Sequence, residues 1–216
     1  MARHGPFPLL AASAAFGVLV TGLVLAAEGP SAPPRSVSRS GLPYVPDDAT
    51  AGPPDVVGAI RTRRAGGKLL NLDRMLLNSP PFAQGWNGLF GAIRGKLTLS
   101  PKLRELAVMS IGALNQAEYE WRQHEAEFLA AGGTVAQLAA LRDPAAALTD
   151  VAHFDEAARA TLALTYEMTT KVAVSEATMR RVRAVLPDAQ VVELIGTIAG
   201  YNMVSRFVVA TGVEME

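Results

Sequence analysis

The sequence predicts an all-α protein, and three observations carry that prediction. Apolar residues recur at helical spacing through several long segments, most plainly Leu103, Leu106, Ala107, Ile111 and Leu114, with Ser110 among them. Start and stop residues bracket these segments: serine before proline at 79–80 and 100–101, paired glycines at 66–67 and 132–133, and Gly212. Period-two alternation supported by β-branched residues never lasts more than a few positions. The expected architecture is a helical bundle of seven or eight helices with short connections.

Taken in order, residues 1–27 open weakly basic and carry an apolar run from Leu9 to Ala27, followed by small residues and proline. This reads as an export signal cleaved after Ala26 or Ala27, which places the mature protein in the periplasm or outside the cell. The alternative is a retained anchor, since the run is just long enough to cross a bilayer and would then hold the protein at the membrane. Residues 28–54 are rich in Pro, Ser and Gly, have little to bury, and are expected to form a linker or a strap on the domain surface.

The helical domain is expected over 55–216. A short helix starts near Pro54 and ends at Gly66 and Gly67. An apolar turn around Leu72 to Leu77 leads to a helix beginning near Ser79, Pro80 or Pro81, where a proline's missing N–H falls among donors that have no intrahelical acceptor anyway. Ser100 then reads as an N-cap with Pro101 at the first helical position, and this buried helix ends between Gly112 and Asn115. Asn115 with Glu118 makes a capping box for the next helix, which runs to about Ala131 and stops at Gly132 and Gly133. Thr134 with Gln137 starts a short helix, and Asp143–Pro144 breaks the chain. Further helices are expected from about Phe154 to Thr170, from the cap Ser175, and from about Pro187 to Gly212.

Composition excludes several functions. The 20 basic and 20 acidic side chains balance without blocks of like charge, so nothing steers the protein to nucleic acid or anionic lipid. The absence of cysteine removes disulfides, thiolate metal ligation and every form of thiol catalysis. His4, His124 and His153 are the only histidines and make no credible metal set, and His153 reads as a cap or surface residue.

The segment NQAEYEWRQHEAEF, Asn115 to Phe128, is where chemistry is expected. On a helix Glu120 and His124 face the same way, and a carboxylate one turn from an imidazole can accept its N–H, fix its tautomer and raise its basicity. Trp121 can supply an apolar wall beside them. On the alternative reading, Glu118–Arg122 and Glu120–His124 are solvent-facing pairs worth about 0.2–0.5 kcal/mol each. Glu105 lies in an apolar stretch of the preceding helix; burial would make it a candidate acid or an anchor for His124, exposure one more surface charge. The last helix carries Glu193, Tyr201, Asn202 and Arg206 among apolar residues. Tyr201 and Asn202 need partners there, either in structural hydrogen bonds or on a substrate.

The run LSPKLRELAVMSIGALNQAEYEWRQHEAEFLAAGGTVAQLAAL resembles the carboxymuconolactone decarboxylase family, which includes the AhpD-type alkylhydroperoxidases. The likeness extends from about Asn71 to Val213, and EYEWRQH is its most specific part. The resemblance implies an AhpD-like helical bundle that assembles as homo-oligomers, trimers or hexamers, with sites near subunit contacts. The peroxidase branch has a glutamate, two cysteines separated by two residues, and a histidine four residues after the second. The glutamate falls here on Glu105 and the histidine on His124, while Ala117 and Glu120 stand at the cysteine places. Alanine and glutamate can neither attack a peroxide nor resolve a sulfenic acid, so thiol peroxidase activity is not expected.

The cysteine-free branch is similar to the true lactone decarboxylases. It implies cofactor-independent loss of carbon dioxide from a small carboxylated lactone, with catalytic roles for His124, Glu120 and Glu105. A substrate carboxylate also requires a cation, for which Arg122 or Arg206 is available, with Trp121 beside it. Negative charge left on carbon requires at least one donor facing the developing enolate. The alternative from another class is a non-catalytic oligomeric binding or scaffold protein, distinguished by whether Glu105, Glu120 and His124 converge in a pocket.

Overall fold

A computed structural model describes residues 36–216, so the apolar segment 1–27 and the first part of 28–54 lie outside the described residues. The described chain is all helical: α1 (Pro54–Thr62), α2 (Asn71–Leu76), α3 (Pro80–Gly95), α4 (Pro101–Leu114), α5 (Glu118–Ala130), α6 (Val135–Leu141), α7 (Pro144–Ala147), α8 (Glu156–Thr170), α9 (Glu176–Val185) and α10 (Asp188–Thr211). A 3₁₀ turn at Ala65–Gly67 follows α1. The count of ten exceeds the expected seven or eight because the apolar turn after Asn71 closes into a six-residue helix and the Asp143–Pro144 break starts a four-residue one. No sheet is present among the described residues, only an isolated bridge between Val37 and Pro43. None of the described helices is long and apolar enough to cross a membrane.

Helix ends follow the local chemistry unevenly. Thr134 and Gln137 form the expected capping box, and the Ser175 hydroxyl accepts from the Thr178 N–H. Ser79 and Ser100 precede their prolines as expected but make no side-chain cap. The Asn115–Glu118 box is absent. Asn115 instead ends α4 and donates its amide to Asn202 and Ser205 on α10. Gln116 then turns the chain at φ 53°, leaving Ala117 as the N-cap of α5. The two helices pack in ordinary contact at Gly112, where a Cβ would stand 3.5 Å from the Trp121 backbone nitrogen.

Buried side chains form two clusters. The larger joins α1, α2, α3 and α10 with one face of α4 through Trp86, Phe90, Ile93, Val108, Ile111, Leu194 and Ile198. The smaller joins α4, α5, α6 and α8 through Leu106, Met109, Trp121, Phe128, Leu141, Phe154 and Leu162. Helix α4 lies between them and is buried on all sides from Glu105 to Gly112. Residues 36–53 run over the surface as a strap. Tyr44 and Val45 are buried, Arg74 Nε donates to the Val45 carbonyl, and Ser40 Oγ donates to the Thr211 carbonyl.

Candidate active site

Glu105 is enclosed because α4 has no solvent face at that level. Its carboxylate is fully buried and receives two hydrogen bonds: His124 Nδ1 lies 2.6 Å from one oxygen, and Arg104 Nε donates to the other over 3.0 Å. Burial alone would raise the Glu105 pKa, but the hydrogen bond and charge of His124, with Arg94 and Arg104, more than offset it and hold the group below its ordinary range. Glu105 is therefore an ionised acceptor, so His124 Nδ1 carries the hydrogen and Nε2 presents its lone pair. Arg94, near the end of α3, reaches that nitrogen from 3.5 Å and also donates to the Tyr201 hydroxyl over 3.4 Å. The Tyr201 ring stands edge-on to the imidazole, with centroids 5.1 Å apart, and its burial pushes the phenol up to about 12. It stays a neutral hydroxyl.

Of these groups His124 and Arg94 open onto a cavity of about 630 Å³, within the size range of small-molecule sites. His124, Glu120 and Arg94 line it, with Arg63, Arg64 and Lys68 from the end of α1 and the turn that follows, and Tyr119, Gln123 and Glu127 from α5. Arg64 is neutralised by a bidentate pair with Asp73, and Arg94 pairs with the half-exposed Glu127 at 3.3 Å. Arg63 and Lys68 form no ion pair among the described residues and are the wall's cations open to an anionic ligand, while Glu216 adds a carboxylate to the same wall. No cluster of three His, Asp or Glu side chains suited to a metal ion occurs among the described residues.

The structure brings Glu105, Glu120 and His124 to one place and separates the other three expected residues from it. Trp121 points to the opposite side of α5, into the smaller core cluster, and the Arg142 guanidinium covers its ring at 3.6 Å. Arg122 is exposed and pairs with Glu118 one turn away, and Arg206 donates to the Asn202 side chain and carbonyl. None of these three lines the cavity. The cation beside the imidazole is Arg94, and the only earlier signal for it is an arginine flanking the Phe90 and Ile93 stripe near a helix end. Arg63 and Arg64 lie in the short run RTRR before the paired glycines, a local signal that the overall charge balance conceals.

One geometric expectation is corrected. Glu120 does not accept the His124 N–H; Glu105, across the helix pair, takes it. Glu120 is itself buried at 1% exposure, and neither carboxyl oxygen has a hydrogen-bond partner among the described residues. Desolvation raises its pKa well above the ordinary carboxylate range. Asn202 proves structural, joining Asn115 and Thr169, whereas Tyr201 meets both the core and the site.

A model of the carboxymuconolactone decarboxylase family matches residues 80–163, the span from α3 to the middle of α8. No curated protein matches the chain. Among solved structures, a peroxidase-related protein from Silicibacter sp. TM1040 superposes with a TM-score of 0.69 at 16% identity, covering 86% of this chain and 95% of its own. A second, an alkylhydroperoxidase AhpD core protein from Ralstonia eutropha JMP134, gives 0.69 at 18%, with 85% and 94% covered. A cysteine-to-alanine variant of the debrominase Bmp8, in complex with 2,3,4-tribromopyrrole, gives 0.69 at 18%, with 83% and 94% covered. At these identities the likeness is one of fold.

Proposed function

We propose that the chain, whose residues 80–163 match the carboxymuconolactone decarboxylase family model, uses its cavity for proton transfer at carbon on a small carboxylated lactone, with decarboxylation as the overall reaction. The observation that carries this reading is the 2.6 Å pair between Glu105 and His124, buried at the edge of a cation-lined cavity. Arg94 holds the substrate carboxylate, which brings the adjacent carbon within reach of His124 Nε2. As the carbon–carboxylate bond breaks, its electron pair passes into the lactone as an enolate. A proton from solvent, relayed by His124, ends on carbon, and carbon dioxide leaves. Glu105 keeps the imidazole in one tautomer and stabilises its protonated form.

Thiol-dependent peroxide reduction is set aside in this reading, because the chain has no cysteine. Export through residues 1–27 and assembly as a trimer or hexamer belong to the same proposal. Self-association is supported by exposed apolar side chains on α3 and α10, among them Phe82, Leu89, Val192 and Val209. The test of the chemistry is a panel of carboxylated lactones assayed for carbon dioxide release. His124→Ala is expected to abolish turnover while leaving the helical circular dichroism unchanged. Turnover at the wild-type rate in that variant removes His124 from the mechanism, and a folded protein inactive on every lactone favours a binding role instead.

A further inference from the structure

Glu120 is left without the work its position suggests. It projects from α5 one turn before His124, and both residues line the same cavity, the Glu120 oxygens lying just beneath its surface. The imidazole N–H that it was placed to accept goes to Glu105. Arg94 reaches His124, Tyr201 and Glu127 but forms no ion pair with Glu120. The carboxyl is 1% exposed, and neither oxygen finds a hydrogen-bond partner among the described residues. A buried polar group in that condition is a marked exception in a folded protein and gains most from a ligand able to satisfy it. An ionised carboxylate without a cation is strongly disfavoured there, so the group is a carboxylic acid with one O–H to donate.

We propose that Glu120 is the cavity's neutral hydrogen-bond donor, binding the carbonyl oxygen of the carboxylated ligand. The inference rests on the reading of Arg94 as the carboxylate anchor. It deepens that reading by assigning the donor that an enolate needs: the O–H that binds the carbonyl in the ground state binds it more strongly as negative charge develops on that oxygen. An acid in this place also explains selectivity. A carboxylate at Glu120 would repel an anionic ligand, whereas a neutral donor accepts one and rejects analogues without the carbonyl, because its own O–H would stay unpaired.

The experiment compares two probes by calorimetry on the full chain: a γ-butyrolactone bearing a carboxylate, and the tetrahydrofuran carboxylate that lacks only the carbonyl oxygen. The wild type is expected to bind the lactone about tenfold more tightly, the scale of one hydrogen bond to a buried group. Glu120→Gln keeps an N–H donor and should retain most of that preference, while Glu120→Leu should abolish it. Should the leucine variant fail to fold, the acid C=O band in the infrared spectrum, present in wild type and absent from Glu120→Gln, is expected to shift on adding the lactone and not on adding its analogue. Equal affinities in the wild type, a preference that survives in Glu120→Leu, or an unmoved band overturns the proposal. If both probes bind equally, the anchor reading stands and only the role of Glu120 falls; if neither binds, both fall.

Discussion

At the scale of single residues, the site consists of two glutamates driven in opposite directions. Glu105 is held below the ordinary range by His124 and its arginine neighbours despite burial, whereas Glu120 is raised by burial alone. The signs give opposite pH dependences. The stability that Glu105 contributes is present above its unfolded pKa and lost as pH falls through the lower folded value. That of Glu120 is present below its unfolded pKa and lost as pH rises toward the higher folded value, because the unfolded chain ionises first. Glu120→Gln removes only the second effect. Measured by urea unfolding from pH 5 to 8, its stability relative to wild type should rise by up to about 1.4 kcal/mol per pH unit until the folded carboxyl ionises. A difference independent of pH would show that Glu120 is ionised or solvated in the folded protein. The sequence named Glu105, Glu120 and His124 but not Arg94; it offered both Glu120 and Glu105 as partners for His124, and the fold pairs it with Glu105. A helix gives the spacing of Glu120 and His124 but not which partner lies across the gap, and α4, buried on every side at Glu105, has no polar face to reveal that it packs there.

At the scale of elements, the caps explain what was legible. Thr134 and Ser175 are bonded to the N–H three residues on, as short-range chemistry dictates. Ser100 is not, although Asp143, likewise followed by proline, accepts from the Ala146 N–H, so a proline at the first helical position does not decide whether the side chain caps. Asn115 is diverted by a contact 90 residues away, Ser205, which no local rule contains. These differences are measurable: Thr134→Ala should cost about 1 kcal/mol in unfolding free energy, and Ser100→Ala less than about 0.5 kcal/mol. Equal losses would mean that Ser100 caps α4 in solution. The same limitation hid α7, a four-residue helix set by Asp143 capping Ala146 behind what reads as a chain break.

For the whole described domain, the all-helical class and the order of the long helices follow from periodicity and punctuation, while the site depends on packing. Arg94 from α3, Glu105 from α4, Glu120 and His124 from α5 and Tyr201 from α10 meet only because α4 is shared by both core clusters. Trp121 and Arg122 were assigned by proximity in sequence to His124, and Arg206 as a cation on the last helix; none of the three lines the cavity. The central claim is that the Glu105–His124 pair moves protons at the carbon of a carboxylated lactone held in this cavity. Its most direct measurement follows deuterium entering a carboxylated γ-butyrolactone beside its carbonyl, by proton NMR in heavy water. The wild type is predicted to catalyse that exchange and His124→Ala to lose it; exchange at the buffer rate with lactone bound, or equal rates in both proteins, would contradict the account.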